Sequence, residues 1–301
     1  MSVNYQKFES IDVSTMTIIG ITNWGLNIER LYEKLPITDY VIIPKKRGRK
    51  KKEVREDPNK DISEGSIITL KYEDKIRGVN LKQKKVQGKK GYFRNSMTVV
   101  MSIDKKLINF KISKNGKFQI TGCKRDEHAE KCVKYIYEYI QKINDNQICK
   151  LNNGDSPEVT FITMMTNIDF NLGFNVNREA LDEHINKNTP YDSILETSFG
   201  YTGVNIKIPH NKSIGDPILK KISFVDNNWI YSQLTYDAYI STLPPKDQKK
   251  EMQKTRRNTF LVFQSGNVIL SCKHHYYMKD MYEKFIDIVN ENRAIFEERV
   301  L

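Results

Sequence analysis

The chain has 301 residues, 39% hydrophobic and 10% aromatic, enough to bury a core as one large domain or as two halves. Its formal charge is +12, and Val41 to Ser96 holds 18 Lys+Arg against 7 Asp+Glu, so nearly all the excess sits in one segment and points to a polyanionic partner. No apolar run approaches the roughly 18 residues a bilayer span needs, and MSVNYQKFES lacks the order of a secretory signal, so no membrane partner is expected.

In chain order, MTIIGI (16–21) reads as a short strand. Asn27 is placed to cap a helix through IERLYEKL, which Pro36 stops. The stretch VIIPKKRGRKKKEVREDPNKDISEG is polar, basic and punctuated by Gly and Pro, an insertion or loop. SIITLKYE (66–73) reads as a strand, and a second basic stretch follows. MTVVMSI, LINFKIS and KFQITG are three β-rich runs, and Asn115-Gly116 between the last two signals a tight turn. A helix is expected from Asp126 to about Ile143, with Val133, Ile136, Tyr137 and Ile140 on one face. LNNGDSPE breaks the chain.

The order then repeats. VTFITMMT is a strand and VNREALDEHI a helix. GVNIKI (203–208) is a strand, FLVFQSGNVILS a hairpin, and a closing helix runs from about Met278 to Asn292. Residues 209–258 interrupt this half. The hairpin tips KNGK (114–117) and QSGN (264–267) match in place and type, which marks an internal repeat. We place the first repeat at 14–145 with a basic insertion at 41–96, a linker at 146–157, and the second repeat at 158–301 with an insertion at 209–258. Each unit would put helices on one sheet face and leave the other free.

PKKRGRKKK (44–52) admits four readings: non-specific phosphate contact, a minor-groove AT-hook built on Arg47-Gly48-Arg49, a nuclear-import signal, or a passive loop. The cysteines (Cys123, Cys132, Cys149, Cys272) follow no disulfide or zinc-ribbon spacing, which suits a reducing compartment. Neither Cys123, His128 and Cys132 nor Cys272, His274 and His275 supplies four ligands at zinc spacing, so no metal or cofactor is expected. Trp229, Tyr231, Tyr236 and Tyr239 read as a satellite core before a stacking platform. No P-loop, GxSxG, HExxH or dinucleotide fingerprint is present, so no enzyme activity is expected.

The run SIDKKLINFKISKNGKFQITGCK (102–124), through its T-G-x-K ending, resembles the TATA-box-binding protein family. So do YTGVNIKI (201–208), FLVFQSGNVILS (260–271) and YEKF (282–285). The Lys-, Asn- and Ile-rich wording suits the divergent forms of large nucleocytoplasmic DNA viruses. The resemblance implies an α+β fold: two tandem repeats forming a saddle-shaped curved antiparallel sheet, with helices on the convex face. It also implies a factor that binds and bends AT-rich promoter DNA through the minor groove. Its partners would be double-stranded DNA, a transcription-factor-IIB-like protein and RNA polymerase, met in the nucleus or a cytoplasmic viral factory. Wedge side chains that unstack base steps are the physical basis of such binding, for which this family is itself the standard case.

Carried over residue by residue, Phe263 takes the hairpin wedge position and Tyr201 the other, with Phe199 two residues earlier. Leu261, Ile269 and Ser271 share the parity of Phe263 and are assigned to the DNA face. Gln119 and Thr121 are assigned to it in the first repeat. The family's paired asparagines fall at Thr17 and Met165, with Asn167 two residues on. The same match puts Ser113 and Ser96 where the family has phenylalanines, leaving Phe93, Phe110 or Ile112 as replacement wedges. Two rival readings stand beside this one: an interaction module that has lost sequence-specific DNA binding, and an accessory DNA-binding domain of a nucleic-acid enzyme.

Phosphate contacts release counterions, so the basic block makes a prediction. Deleting residues 44–52 should flatten the slope of log affinity against log salt by about one unit for each phosphate that the block neutralises. An unchanged slope in a salt titration would show that the block does not touch DNA.

Overall fold

Successive side chains of a strand point to opposite sheet faces, and here one face of each hairpin is buried throughout. The computed structural model describes residues 5–43, 57–81, 94–196, 203–209, 218–253, 257–273 and 275–298. Its strands are β1 (Val13–Thr22), β2 (Trp24–Leu26), β3 (Ile67–Tyr72), β4 (Lys75–Gly78), β5 (Ser96–Ile103), β6 (Lys106–Ser113), β7 (Lys117–Cys123), β8 (Cys149–Leu151), β9 (Glu158–Asn171), β10 (Asp192–Glu196), β11 (Gly203–Pro209), β12 (Ile218–Val225), β13 (Asn228–Thr235), β14 (Arg257–Phe263) and β15 (Asn267–Cys272). The helices are α1 (Ile28–Lys34), α2 (Asp126–Ile143), α3 (Arg178–Asn188), α4 (Tyr236–Ser241), α5 (Pro245–Met252), α6 (Met278–Glu291) and α7 (Arg293–Phe296). The fold is α+β, dominated by antiparallel sheet.

The chain divides into two units. One holds residues 18–162 and 220–233, the other residues 1–17, 163–219 and 234–301. In the first, the strand order β7-β6-β5-β3-β4 lays a buried face of Phe110, Ile112, Phe118 and Ile120 against α2. Trp24 is fully buried and meets Phe118 edge-on at 5.8 Å. In the second, the order β10-β11-β14-β15-β9 buries Phe260, Val262, Val268 and Leu270 under α6. Phe260 stacks on Phe285 with centroids 4.4 Å apart, and Phe170 meets Tyr282 edge-on at 4.8 Å. Tyr282 and Phe285, the ends of the YEKF signature, thus serve the core.

Corresponding features of the two units fall 150 positions apart, as Asn27 with Asn177 and Gly116 with Gly266. Asn27 and Asn177 cap α1 and α3 by accepting from Arg30 N (3.2 Å) and Ala180 N (3.1 Å). Leu26 N donates to the Lys114 carbonyl and Val176 N to that of Gln264, both at 2.8 Å. Gly116 N donates to Ser113 O and Gly266 N to Phe263 O, both at 3.0 Å. The repeat is therefore one of hydrogen bonding as well as of element order.

Within the insertion at 209–258, the β12–β13 hairpin pairs with β9 through Lys220↔Phe161 and Ile222↔Val159 in the first unit. Trp229 packs on Tyr137 (5.4 Å) and Phe224 (5.1 Å), a satellite core beside α2. Tyr231 remains half-exposed, donates to the buried Glu130 carboxylate at 3.1 Å, and lies under Lys134 and Lys220, which also pairs with Glu130. In the other unit Tyr236 is buried and donates to Glu251 Oε2 at 3.0 Å.

Both hairpin tips need a left-handed glycine: φ is +69° at Gly116 and +77° at Gly266. A Cβ on Gly116 would lie 2.4 Å from the Trp24 carbonyl oxygen, and one on Gly266 2.3 Å from that of Phe174. Gly122 also has positive φ, yet a Cβ there meets nothing within 4 Å. Gly266→Ala should therefore destabilise the protein by about 2–3 kcal/mol in urea denaturation, and Gly122→Ala by about 1 kcal/mol. Equal losses would show that the tip is not seated against the Phe174 carbonyl.

Candidate nucleic-acid interface

The free face of the second unit follows from register. Leu261, opposite Asn205 on β11, pairs with Ile269, and Ile269 pairs with Asp169 on β9. A second row runs Lys207, Thr259, Ser271 and Asn167. Phe263 stands opposite Gly203. Their neighbours Phe260, Val262, Val268 and Leu270 point into the core, so Leu261, Phe263, Ile269 and Ser271 are left partly exposed on the far side. Gly203 keeps this face low, since a Cβ there would come within 2.8 Å of Leu261 Cδ1. The structure thus brings together Phe263, Leu261, Ile269, Ser271 and Asn167. Thr17, partly exposed on β1, belongs to the same unit.

Beside Phe263 the face dips into a hollow of about 670 Å³ lined by Phe263, Ile269, Asp169 and Asn267 among others. The Asn267 amide is committed to the tip, donating to Ser265 Oγ (3.0 Å) and accepting from Asn171 Nδ2 (2.6 Å).

The corresponding face of the first unit has different chemistry. Its rows are Lys71, Thr98, Lys111 and Gln119, then Val100, Asn109 and Thr121, then Ser96 and Ser113. Thr121 Oγ1 donates to the Asn109 carbonyl at 3.0 Å, and Gln119 is exposed. Ser113, 150 positions before Phe263, stitches the turn. Its hydroxyl lies 2.6 Å from Asn115 Oδ1 and 3.0 Å from the Lys117 carbonyl, and it accepts the Lys117 amide at 3.2 Å.

Phe110 and Ile112 are completely buried. Neither replaces the missing wedges: β6 keeps the parity of Ser113, and moving either residue to the free face would require a one-residue slip of the strand. Arg47, Arg49, Phe93, Phe199 and Tyr201 lie outside the described residues, as does His274. Parity could have singled out Lys111 along β6 and Asp169 two residues after Asn167, whereas Asn205 and Lys71 join their rows through cross-strand register.

Cys123 and Cys132 are buried in the first core, and burial pushes the Cys123 thiol up to about 12. His128 Nδ1 accepts the Lys124 amide at 3.3 Å, and its Nε2 lies 3.3 Å from Asp104 Oδ2. These residues therefore have structural partners of their own. Among the described residues no group of three or more His, Cys, Asp or Glu side chains is placed to hold a metal.

The family model described as Transcription factor TFIID (or TATA-binding protein, TBP) matches residues 68–143, from β3 to the end of α2. That stretch is similar to a TBP repeat, and the likeness supports a divergent TBP-like protein. A relative from Invertebrate iridescent virus 6, described as Uncharacterized protein 335L, is 30% identical over 220 residues, which is 70% of this chain. The chain spans 64% of that relative's length. Among solved structures, Methanococcus jannaschii TBP aligns over 93% of this chain and 98% of its own, with 13% identity and a TM-score of 0.40.

Electrostatics at the β5–β6 turn yield a prediction. Lys131 (2.6 Å) and Arg125 (2.5 Å) hold the Asp104 carboxyl down to about 2, below its ordinary 3.8. A depressed carboxylate stabilises the fold above its unfolded value and loses that contribution as pH falls from about 4 to 2. Asp104→Asn should cost on the order of 1 kcal/mol at neutral pH, after solvent screening, and flatten the stability profile in that window. Parallel wild-type and mutant profiles from pH 2 to 5 would refute the assignment.

Proposed function

We propose that the chain is a transcription initiation factor that binds and bends AT-rich duplex DNA through the minor groove, using the free sheet faces. The observation that supports this most directly is the apolar set Leu261, Phe263 and Ile269, held on the side of the sheet away from the core. An apolar sheet face opposite a helix-covered core suits a widened minor groove, where inserted side chains replace lost base stacking. AT-rich steps yield most easily and lack the guanine amino group. Lys71 and Lys111 add positive charge to the first unit's face, suited to phosphate. The TBP-like repeat supports recruitment of a factor-IIB-like protein and RNA polymerase, and a binding role rather than a catalytic one. Likeness to an iridescent-virus protein supports a viral origin, with action in the nucleus or a cytoplasmic factory.

On this reading the two repeats deform DNA differently. Phe263 can fill an unstacked step, whereas Ser113 is bound into its turn and offers only a hydroxyl. One sharp kink belongs under the second repeat and a smoother bend under the first. In duplexes carrying 2-aminopurine at successive positions, strong unstacking should cluster at one end of the site. Phe263→Ala should remove it and weaken binding about tenfold while leaving the melting temperature within a few degrees. Two equal kinks would defeat the asymmetry, a collapsed melting temperature would place Phe263 in the core, and absence of duplex binding would favour the protein-interaction reading.

A further inference from the structure

The hollow beside Phe263 has a donor–acceptor character that an A·T minor groove does not complement. In that groove adenine N3 and thymine O2 are both acceptors, and the single base donor available is the N2 amino group of guanine. The hollow's polar lining is Gln264, Ser265 and Asn267 from the hairpin tip and Asp169 from the sheet. The Gln264 and Asn267 amides donate to Glu298 and Ser265. Asp169 is an exposed carboxylate that accepts and never donates when ionised. No side-chain hydrogen bond or ion pair engages it among the described residues. Two residues earlier on the same strand and face, Asn167 carries a buried Oδ1 with no partner, and Asn205 Oδ1, further across the face, is in the same condition. Buried carbonyl oxygens ordinarily find donors, so these two, on the same face as the exposed Asp169 carboxylate, point to a ligand that supplies N–H groups.

Against a pure A·T groove, Asp169 would be desolvated facing further acceptors, a costly arrangement for a charged group. A guanine amino group removes that cost, and the neighbouring Phe263 ring offers an apolar surface for the unstacked base. We propose that the hollow lined by Phe263, Ile269 and Asp169 takes the minor-groove edge of a guanine, so that the second repeat selects a G·C pair within an otherwise AT-rich site. The proposal rests on the DNA-binding reading above and deepens it. It also departs from the preference for AT-only contact that the resemblance implies.

Inosine provides the test, because it pairs with cytosine but lacks the N2 amino group. The full chain would be titrated by fluorescence anisotropy with an AT-rich duplex, with the same duplex carrying one G·C pair at each position in turn, and with the matching I·C series. At one position G·C should bind about five- to tenfold more tightly than both A·T and I·C. Asp169→Ala should abolish that preference and, by removing a carboxylate that an A·T groove leaves unpaired, tighten binding to the A·T duplex. Asp169→Asn should keep part of it, since the amide carbonyl still accepts. Thermal melting of both variants verifies that the fold survives. Equal affinity for G·C and I·C at every position, or a preference that persists in Asp169→Ala, would overturn the guanine site while leaving duplex binding intact. Failure to bind any of the duplexes would overturn the DNA-binding reading itself.

Discussion

Everything about the free faces depends on how each hairpin tip is seated. In both units a left-handed glycine presses against a backbone carbonyl in the strand–helix connection, that of Trp24 or of Phe174. The amide of residue 26 or 176 then closes onto the carbonyl of residue 114 or 264. These contacts fix where each hairpin begins relative to its own helix. With a period of two along the strand, fixing the start decides which residues meet the core and which do not. One residue of slip would bury Ser113 and expose Phe110, so the tip is the element on which the chemistry of the face rests.

Given that shared frame, the two faces carry different side chains. At matching positions one unit carries Lys111, Ser113, Gln119 and Thr121, and the other Leu261, Phe263, Ile269 and Ser271. Buried positions mostly stay apolar, Phe110 with Phe260 and Phe118 with Val268, although Asn258 stands where the first unit has Ile108. A core position is constrained by packing, where one methylene is felt, whereas a free face answers only to its ligand. On a common scaffold, then, the two units present free faces of different chemistry.

How much of this is legible in the residues alone follows the same physics. Local signals carry the first level: Asn27 as a cap, the Asn115-Gly116 turn, and the α2 boundaries at Asp126 and Ile143. The resemblance locates Phe263 and its parity partners, because strand parity is itself a local property. The insertion at 209–258 reads only as an interruption, since β13 is exposed along most of its length and shows no apolar alternation. Strand β10 escapes a sequence reading as well, because it borrows its pairing from β11 and leaves Ile194 half-exposed. Asp169 shares the parity of Asn167 on β9, but that it and Asn205 lie in one row with Leu261 and Ile269 depends on pairing between strands distant in the chain. Ser113 stands out as a departure from the family, but its reason lies in three side-chain contacts within its turn.

The asymmetry bears on a problem every two-repeat binder faces. Two identical repeats on a near-symmetric A·T groove bind equally well in either direction, and a promoter factor that cannot tell its ends apart cannot set the direction of transcription. A difference of about 1.4 kcal/mol between the two orientations makes one of them about tenfold more populated. On the proposed reading, a wedge at Phe263 with none at Ser113 would supply a difference of that size, since unstacking costs a few kcal/mol per step and is offset only where an apolar side chain enters. Lysines on one face and a carboxylate on the other add to it, because phosphate-rich and amino-bearing stretches of groove are then not interchangeable. On the proposed DNA-binding reading, serine at 113 and phenylalanine at 263 would give up part of the bend and in return give the protein a front and a back on DNA.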